Sequence, residues 1–170
     1  METNCYNAFK IVLIGDLGVG KTATLIRYCC KDFVDPVNVC MLAVDYRVKK
    51  IVVDSVEVQL QLWDTGGNGM PYYKNVSALI CMFDVCSELS LKHIDMWAQN
   101  AALNCKPDIV KLLIGNKCDL IGQRKVSYEE GSIKAHNLSM KYIEISAKTG
   151  ENVEQAFTII CKELINAKVS

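Results

Sequence analysis

Gly15-Asp16-Leu17-Gly18-Val19-Gly20-Lys21-Thr22 lies between an apolar run, Ile11-Val12-Leu13-Ile14, and a helix-forming one, Ala23-Thr24-Leu25-Ile26-Arg27-Tyr28. Strand, then G-x-x-x-x-G-K-[ST], then helix is the context that a phosphate-binding loop requires. Gly15, Gly18 and Gly20 permit backbone shapes that a Cβ forbids. The loop amides are then expected to turn inward as an anion nest at a helix N-terminus. Lys21 is expected to reach the β- and γ-phosphates of a nucleotide, and the Thr22 hydroxyl to ligate Mg²⁺. The bland alternative is a glycine-rich turn that binds nothing, and the correct flanks disfavour it.

Outward from this loop, strands and helices alternate. Residues 1–8 read as a polar lead, Phe9–Ile14 as the first strand and 21–30 as the helix after the loop. Residues 31–41, with Asp35-Pro36, show no period and read as a loop. From Val44 to Val53 the chain alternates, with Val44, Tyr46 and Val48 on one side and Asp45, Arg47 and Lys49 on the other, as in a half-exposed strand. Asp54-Ser55 turns the chain into Val56–Trp63, where Val56, Val58, Leu60 and Leu62 alternate with Glu57, Gln59 and Gln61. Ala78–Val85 and Ile109–Gly115 are continuous apolar strands, and Tyr142–Ile145 is a last short one. Leu91, Ile94, Trp97 and Ala101 form a helical stripe within 89–103. Ser127-Tyr128-Glu129-Glu130 has the form of a capping box opening a helix to about Met140. Asn152–Ala167 closes the chain as a helix with Val153, Phe157, Ile160 and Leu164 on one face. The expected fold class is α/β: one domain over residues 9–168, a three-layer P-loop architecture with a mostly parallel six-stranded sheet covered on both faces by helices.

The bulk properties exclude several function classes. Nineteen basic side chains balance nineteen acidic ones in 170 residues, so no long-range field favours nucleic acid or an anionic membrane surface. Nine cysteines show neither a C-x-x-C pair nor histidines at zinc spacing. Cys81, Cys118 and Cys161 sit in apolar patterns, where cysteine is usually a small buried hydrophobe. The odd count and the lack of a signal peptide suggest a reducing, cytoplasmic setting. The vicinal pair Cys29-Cys30 reads as helix-end packing rather than a redox device. No apolar run reaches the length of a membrane span, and no prenylation or myristoylation signal is present in the chain as given.

Ligands of such sheets bind at the carboxyl ends of the strands, and the polar clusters fall there. Asp64 follows the Val56–Trp63 strand, where a carboxylate can hold Mg²⁺ through water, and Gly67 can offer an amide to the γ-phosphate. Asn116-Lys117-Cys118-Asp119 follows the Ile109–Gly115 strand. Asp119 there would accept from guanine N1 and N2, a pairing that adenine cannot match. The Lys117 stem would cover the base, and Asn116 would tie this loop to the phosphate loop. Ser146-Ala147-Lys148 follows the last strand, with the Ala147 amide aimed at guanine O6.

Together, G-x-x-x-x-G-K-T, W-D-T-x-G, N-K-x-D and S-A-K resemble the Ras-like small GTPases over residues 9–167. Gly15-Asp16, Trp63, Tyr72-Tyr73-Lys74 and Asn116-Lys117-Cys118-Asp119-Leu120 look most like the Rab family. The resemblance implies GTP and GDP as ligands, Mg²⁺ as cofactor, a switch in vesicle traffic, and protein effectors and regulators as partners. It places an aromatic ring, here Phe33, against guanine, and adds Val19, Ala23 and Leu120 to the nucleotide-binding set. It also implies a cytoplasmic protein, peripheral to endomembranes where a tail or partner domain supplies an anchor.

Four departures from that pattern bear on activity. Leu17 replaces a small residue and would crowd the attacking water; the family precedent is slowed hydrolysis. The threonine that ligates Mg²⁺ in the first switch is absent: counting from either side reaches Cys40 or Met41, neither a hard oxygen ligand. Asn68 stands where a glutamine orients the attacking water, one methylene too short. Only Gly69-Met70-Pro71 separates Asn68 from Tyr72, roughly six residues fewer than the Rab pattern, and Pro71 would break a helix there. The expected activity is therefore slow GTP hydrolysis, with Lys21 stabilising charge and Asn68 a poor water positioner. The rival reading is a catalytically deficient GTPase-like interaction module. An adenylate-handling kinase is disfavoured, because it needs no Asn116-Lys117-Asp119.

Overall fold

A computed structural model describes residues 7–33, 45–66 and 72–169. The sequence positions Cys40, Met41, Gly67 and Asn68, and most of the N-terminal lead, lie outside the described residues. Six strands form one sheet in the order β2-β3-β1-β4-β5-β6. They are β1 (Asn7–Ile14), β2 (Asp45–Val53), β3 (Val56–Asp64), β4 (Ala78–Asp84), β5 (Val110–Asn116) and β6 (Lys141–Glu144). All neighbours run parallel except β2, which pairs antiparallel with β3 through the Asp54-Ser55 turn. Both turn residues have positive φ, 49° and 66°, as a two-residue hairpin turn with matching twist requires.

Helices α1 (Lys21–Cys30), α2 (Glu88–Lys92), α3 (Ile94–Asn104), α4 (Tyr128–Asn137) and α5 (Val153–Val169) cover the sheet. One face is filled by β-strand residues such as Ile11, Leu13, Leu60 and Ile80 against α1 and α5, where the Tyr28 and Phe157 rings stack at 3.8 Å. The other face packs Val12, Cys81, Phe83 and Leu113 against Ile94, Trp97 and Ala101 of α3 and Ala135 of α4. With cores on both faces, β4 and β5 read as continuous apolar runs.

Three expectations need correction. The single helix over 89–103 is two, because the chain breaks at His93, which caps α2 on the Leu89 carbonyl and then opens α3. Cys118 is not buried in the core but half-exposed in the loop after β5, whereas Cys81 and Cys161 are fully buried. The helix opened by the Ser127–Glu130 capping box is present, with both reciprocal bonds, but it ends at Asn137. In β2 the row turned inward is Arg47, Lys49, Ile51 and Val53, while Tyr46, Val48 and Val52 are exposed. Lys49 achieves this by laying its stem along α1, its ammonium 3.6 Å from the Tyr28 ring centre and donating to the Tyr28 carbonyl at 2.6 Å.

Candidate nucleotide-binding site

The sheet register brings the carboxyl ends of β1, β3, β4 and β5 level: Leu13 pairs with Asp64, and Asp84 with Asn116. The octet 15–22 leaves β1 at that edge and enters α1. Two of its glycines are required by space as well as by conformation. Gly15 has φ +145°, and a Cβ there would lie 2.2 Å from the Met82 carbonyl oxygen. Gly20 has φ +100°, and its Cβ would lie 2.2 Å from Asn116 Nδ2. Lys21 is 5% exposed, and its Nζ donates to the carbonyls of Gly15 at 2.8 Å and Asp16 at 2.9 Å. An ammonium has three donors, so one remains for a phosphate oxygen. Burial lowers the Lys21 pKa, and the Asp64 and Asp16 carboxylates oppose that shift.

Thr22 Oγ1 donates to Asp64 Oδ2, and the Gly66 amide donates to Asp64 Oδ1 at 3.2 Å. A hydroxyl and a nearly buried carboxylate in contact form a hard-oxygen pair of the kind that would suit Mg²⁺. Among the described residues no group of three or more His, Cys, Asp or Glu gathers into a metal cluster. Thr65, next to Asp64, is already occupied: its hydroxyl donates to the Leu13 carbonyl at 3.0 Å. Ala23 is buried in the first turn of α1. Leu17 and Gly18 form the exposed crown of the loop, with Leu17 68% exposed.

The residues expected to read the base lie beside the loop. Asn116, 2% exposed, donates from Nδ2 to the Val19 carbonyl at 2.9 Å and accepts the Ala147 amide on Oδ1 at 3.1 Å. It thereby joins the phosphate loop, the β5 end and the Ser146–Lys148 loop. Lys117 has φ +68° and its ammonium lies 2.6 Å from Asp84 Oδ2, at the end of β4. Asp119 Oδ1 accepts the Ser146 hydroxyl at 2.7 Å, which leaves Oδ2 and further lone pairs for a base. The same Ser146 oxygen accepts the Thr149 amide at 3.0 Å, and the Leu120 amide donates to Lys117 at 3.0 Å. Cys118 lies with its Sγ 3.7 Å from Glu151; burial first, then the Glu151 and Glu144 carboxylates, push its thiol up to about 11. Phe33 stands three residues past the end of α1, half-buried, its amide donating to Asp32 Oδ1 at 2.8 Å. Lys148 is exposed.

Sequence reasoning missed the supports. Arg27, in the last turn of α1, donates from Nε to the Ala147 carbonyl at 2.9 Å and from Nη2 to the Lys148 carbonyl. Asp84 steadies Lys117, and Asp16 has side-chain partners on α3. Only the position of Asp84 at a strand end hinted at a role. Near the sheet edge, Tyr46 and Trp63 rings meet at 4.6 Å and Trp63 and Tyr72 at 5.7 Å, and Trp63 is half-buried, packed against the second core face. No helix among the described residues is long and apolar enough to cross a membrane.

The family model for the Ras family matches residues 10–166. The GTP-binding protein ypt2 of Schizosaccharomyces pombe is 34% identical over 99% of this chain and 88% of its own length. Ras-related protein Rab-1 of Theileria parva is 39% identical over 92% of this chain and 74% of its own. Ras-related protein Rab-37 of Homo sapiens is 37% identical over 91% of this chain and 72% of its own.

Proposed function

The chain belongs to the Ras family of small GTPases and is Rab-like within it; from that premise we propose that it retains guanine nucleotide firmly and hydrolyses GTP slowly. Members of this family bind GTP and GDP with Mg²⁺ and act as switches. The observation that carries firm retention is the Asn116 bridge from the Val19 carbonyl to the Ala147 amide. It fixes the distance between the phosphate-binding and base-reading loops before any ligand arrives, so little ordering remains for binding to impose.

Each residue has a role in this reading. Gly15, Gly18, Val19 and Gly20 shape the amide nest, and Lys21 places its ammonium on the β- and γ-phosphates. Thr22 and Asp64 would hold Mg²⁺, which would supply charge neutralisation at the phosphate oxygens. Gly67 contributes an amide at the γ-phosphate. Asp119 pairs with guanine N1 and N2, Ala147 with O6, and Lys117, Leu120 and Phe33 enclose the base with Lys148 at its rim. Water attacks the γ-phosphorus in line, giving GDP and phosphate. Asn68 orients that water poorly, Leu17 crowds it, and neither Cys40 nor Met41 supplies the missing hydroxyl. Positioning and charge stabilisation make up nearly all of this catalysis, so these substitutions act on rate more than on affinity. Protein effectors would dock on the aromatic row of exposed Tyr46 and half-buried Trp63 and Tyr72, and the Rab likeness suggests vesicle traffic as the setting.

Single-turnover hydrolysis tests the proposal. Protein loaded with γ-labelled GTP and Mg²⁺ is expected to keep its nucleotide while phosphate appears slowly. Nucleotide held with no phosphate release would turn the reading into that of an interaction module. Failure to retain guanine nucleotide at all would refute it.

A further inference from the structure

The side chain of Asp16 has no place in the nucleotide-binding scheme above, yet it is three-quarters buried and held at both ends. Trp97 Nε1–H donates to its Oδ1 at 2.9 Å, and His93 Nδ1 lies 2.7 Å from its Oδ2. His93 and Trp97 are four residues apart at the start of α3, so they share one helix face and meet the two oxygens of a single carboxylate. Hydrogen bonds to an ionised carboxylate are roughly twice as strong as neutral ones.

The phosphate loop needs such an anchor. Gly15, Gly18 and Gly20 give it backbone freedom, and its crown at Leu17 and Gly18 is exposed. Its second half is tied down where Asn116 binds the Val19 carbonyl. Its first half has the Asp16 carboxylate. The carbonyl of that same residue accepts Lys21 Nζ at 2.9 Å. The path from α3 to the ammonium therefore runs through one amino acid.

We propose that His93 and Trp97 are positioning residues that grip the Asp16 carboxylate, hold the first half of the phosphate loop in place, and so set the Lys21 ammonium where phosphate binds. The inference rests on the guanine-nucleotide reading and deepens it. It makes the first turn of α3 a handle on nucleotide retention: a ligand or protein that displaces it loosens the phosphate grip without touching the base loop.

The test follows dissociation of a fluorescent GDP from the full chain with Mg²⁺, for wild type, Asp16→Ala, Trp97→Phe, His93→Leu and His93→Gln. Asp16→Ala and Trp97→Phe are expected to speed dissociation about tenfold, the scale of a lost hydrogen bond to a charged group. His93→Leu should speed it less, and His93→Gln, which keeps a donor, should restore most of the loss. Preference for GDP over ADP should not change, because Asp119 is untouched. Melting of the nucleotide-free protein serves as the second measurement. Equal falls in melting temperature with and without GDP, at an unchanged dissociation rate, would mean that the contact only supports the fold, and would overturn the proposal. Wild type that holds GDP alongside variants that match it overturns the grip alone. Wild type that cannot hold GDP overturns the guanine-nucleotide reading and the grip together.

Discussion

Replacing Asn116 with alanine is the sharpest perturbation of the site, because one buried side chain satisfies two buried backbone groups. Its removal leaves the Val19 carbonyl and the Ala147 amide without their partner, each bond now 2.9 and 3.1 Å long. An unsatisfied buried polar group costs about 1–3 kcal/mol. A water entering the space left by the amide would recover part of that, since it would find polar partners there. A net loss of about 3 kcal/mol in the nucleotide-free protein corresponds to a fall of about 9 °C in Tm for a domain of this size. Retention of GDP should weaken as well, by about tenfold, because the two loops no longer hold their separation and binding must supply about 1.4 kcal/mol of ordering that the bridge otherwise provides. Asn116→Asp sharpens the logic. Its carboxylate still accepts the Ala147 amide, but it sets a second acceptor against the Val19 carbonyl. It should therefore retain GDP no better than Asn116→Ala, although half of the bridge survives. Differential scanning calorimetry and fluorescent GDP dissociation read the two quantities separately. If Asn116→Asp held GDP as wild type does, the link to the phosphate loop would not be what couples the two halves of the site.

Other perturbations address the remaining parts. Asp119→Asn should weaken GTP and GDP binding together, and full guanine affinity in a competition assay would sink the base-reading assignment. Asn68→Gln combined with Leu17→Ser should raise single-turnover phosphate release; no change would place the block in the shortened second switch or the missing metal threonine. Cys118 should react slowly with iodoacetamide at neutral pH and speed up only as pH approaches about 11, because burial and Glu151 favour the protonated thiol. Fast alkylation at neutral pH, read by mass spectrometry, would contradict that environment.

Legibility in the sequence tracked how local the governing physics is. The bounds of α1 follow from its neighbours in the chain: Gly20 and Lys31 both adopt left-handed backbone at its two ends. The Ser127–Glu130 box and the Asp54-Ser55 turn are local as well, and each appears as read. The break at His93 was hidden because Leu91, Ile94, Trp97 and Ala101 keep helical spacing across it, and the His93 side chain meets Asp16, far away in sequence. The inward row of β2 was hidden because Arg47 and Lys49 look polar, while in the structure both are half-buried and their heads bond to Cys30 Sγ and the Tyr28 carbonyl at the end of α1. At the site, strand-end positions announced Asp64, Asn116 and Ser146. What holds them (Arg27 on Ala147, Asp84 on Lys117) is long-range pairing that spacing does not encode.

On the proposed reading, retention and hydrolysis would be separable in this chain, because they rest on different kinds of position. The retaining groups stand at strand ends, where sheet register fixes them: Asp64 opposite Leu13, Asn116 opposite Asp84. Moving Asn116 means moving β5, which is buried along most of its length, and moving Asp64 means moving β3, whose alternate residues are buried in the core. The altered groups, Asn68 and Cys40 or Met41, fall in the chain between strands. Leu17 is on the exposed crown of a loop whose two halves are anchored elsewhere. Substitutions at such positions change the path of the attacking water while leaving the anchors of the nucleotide in place. If hydrolysis is slow, as proposed, the lifetime of the loaded state would be governed by nucleotide dissociation, and so by the Asn116 bridge and the α3 grip, rather than by chemistry.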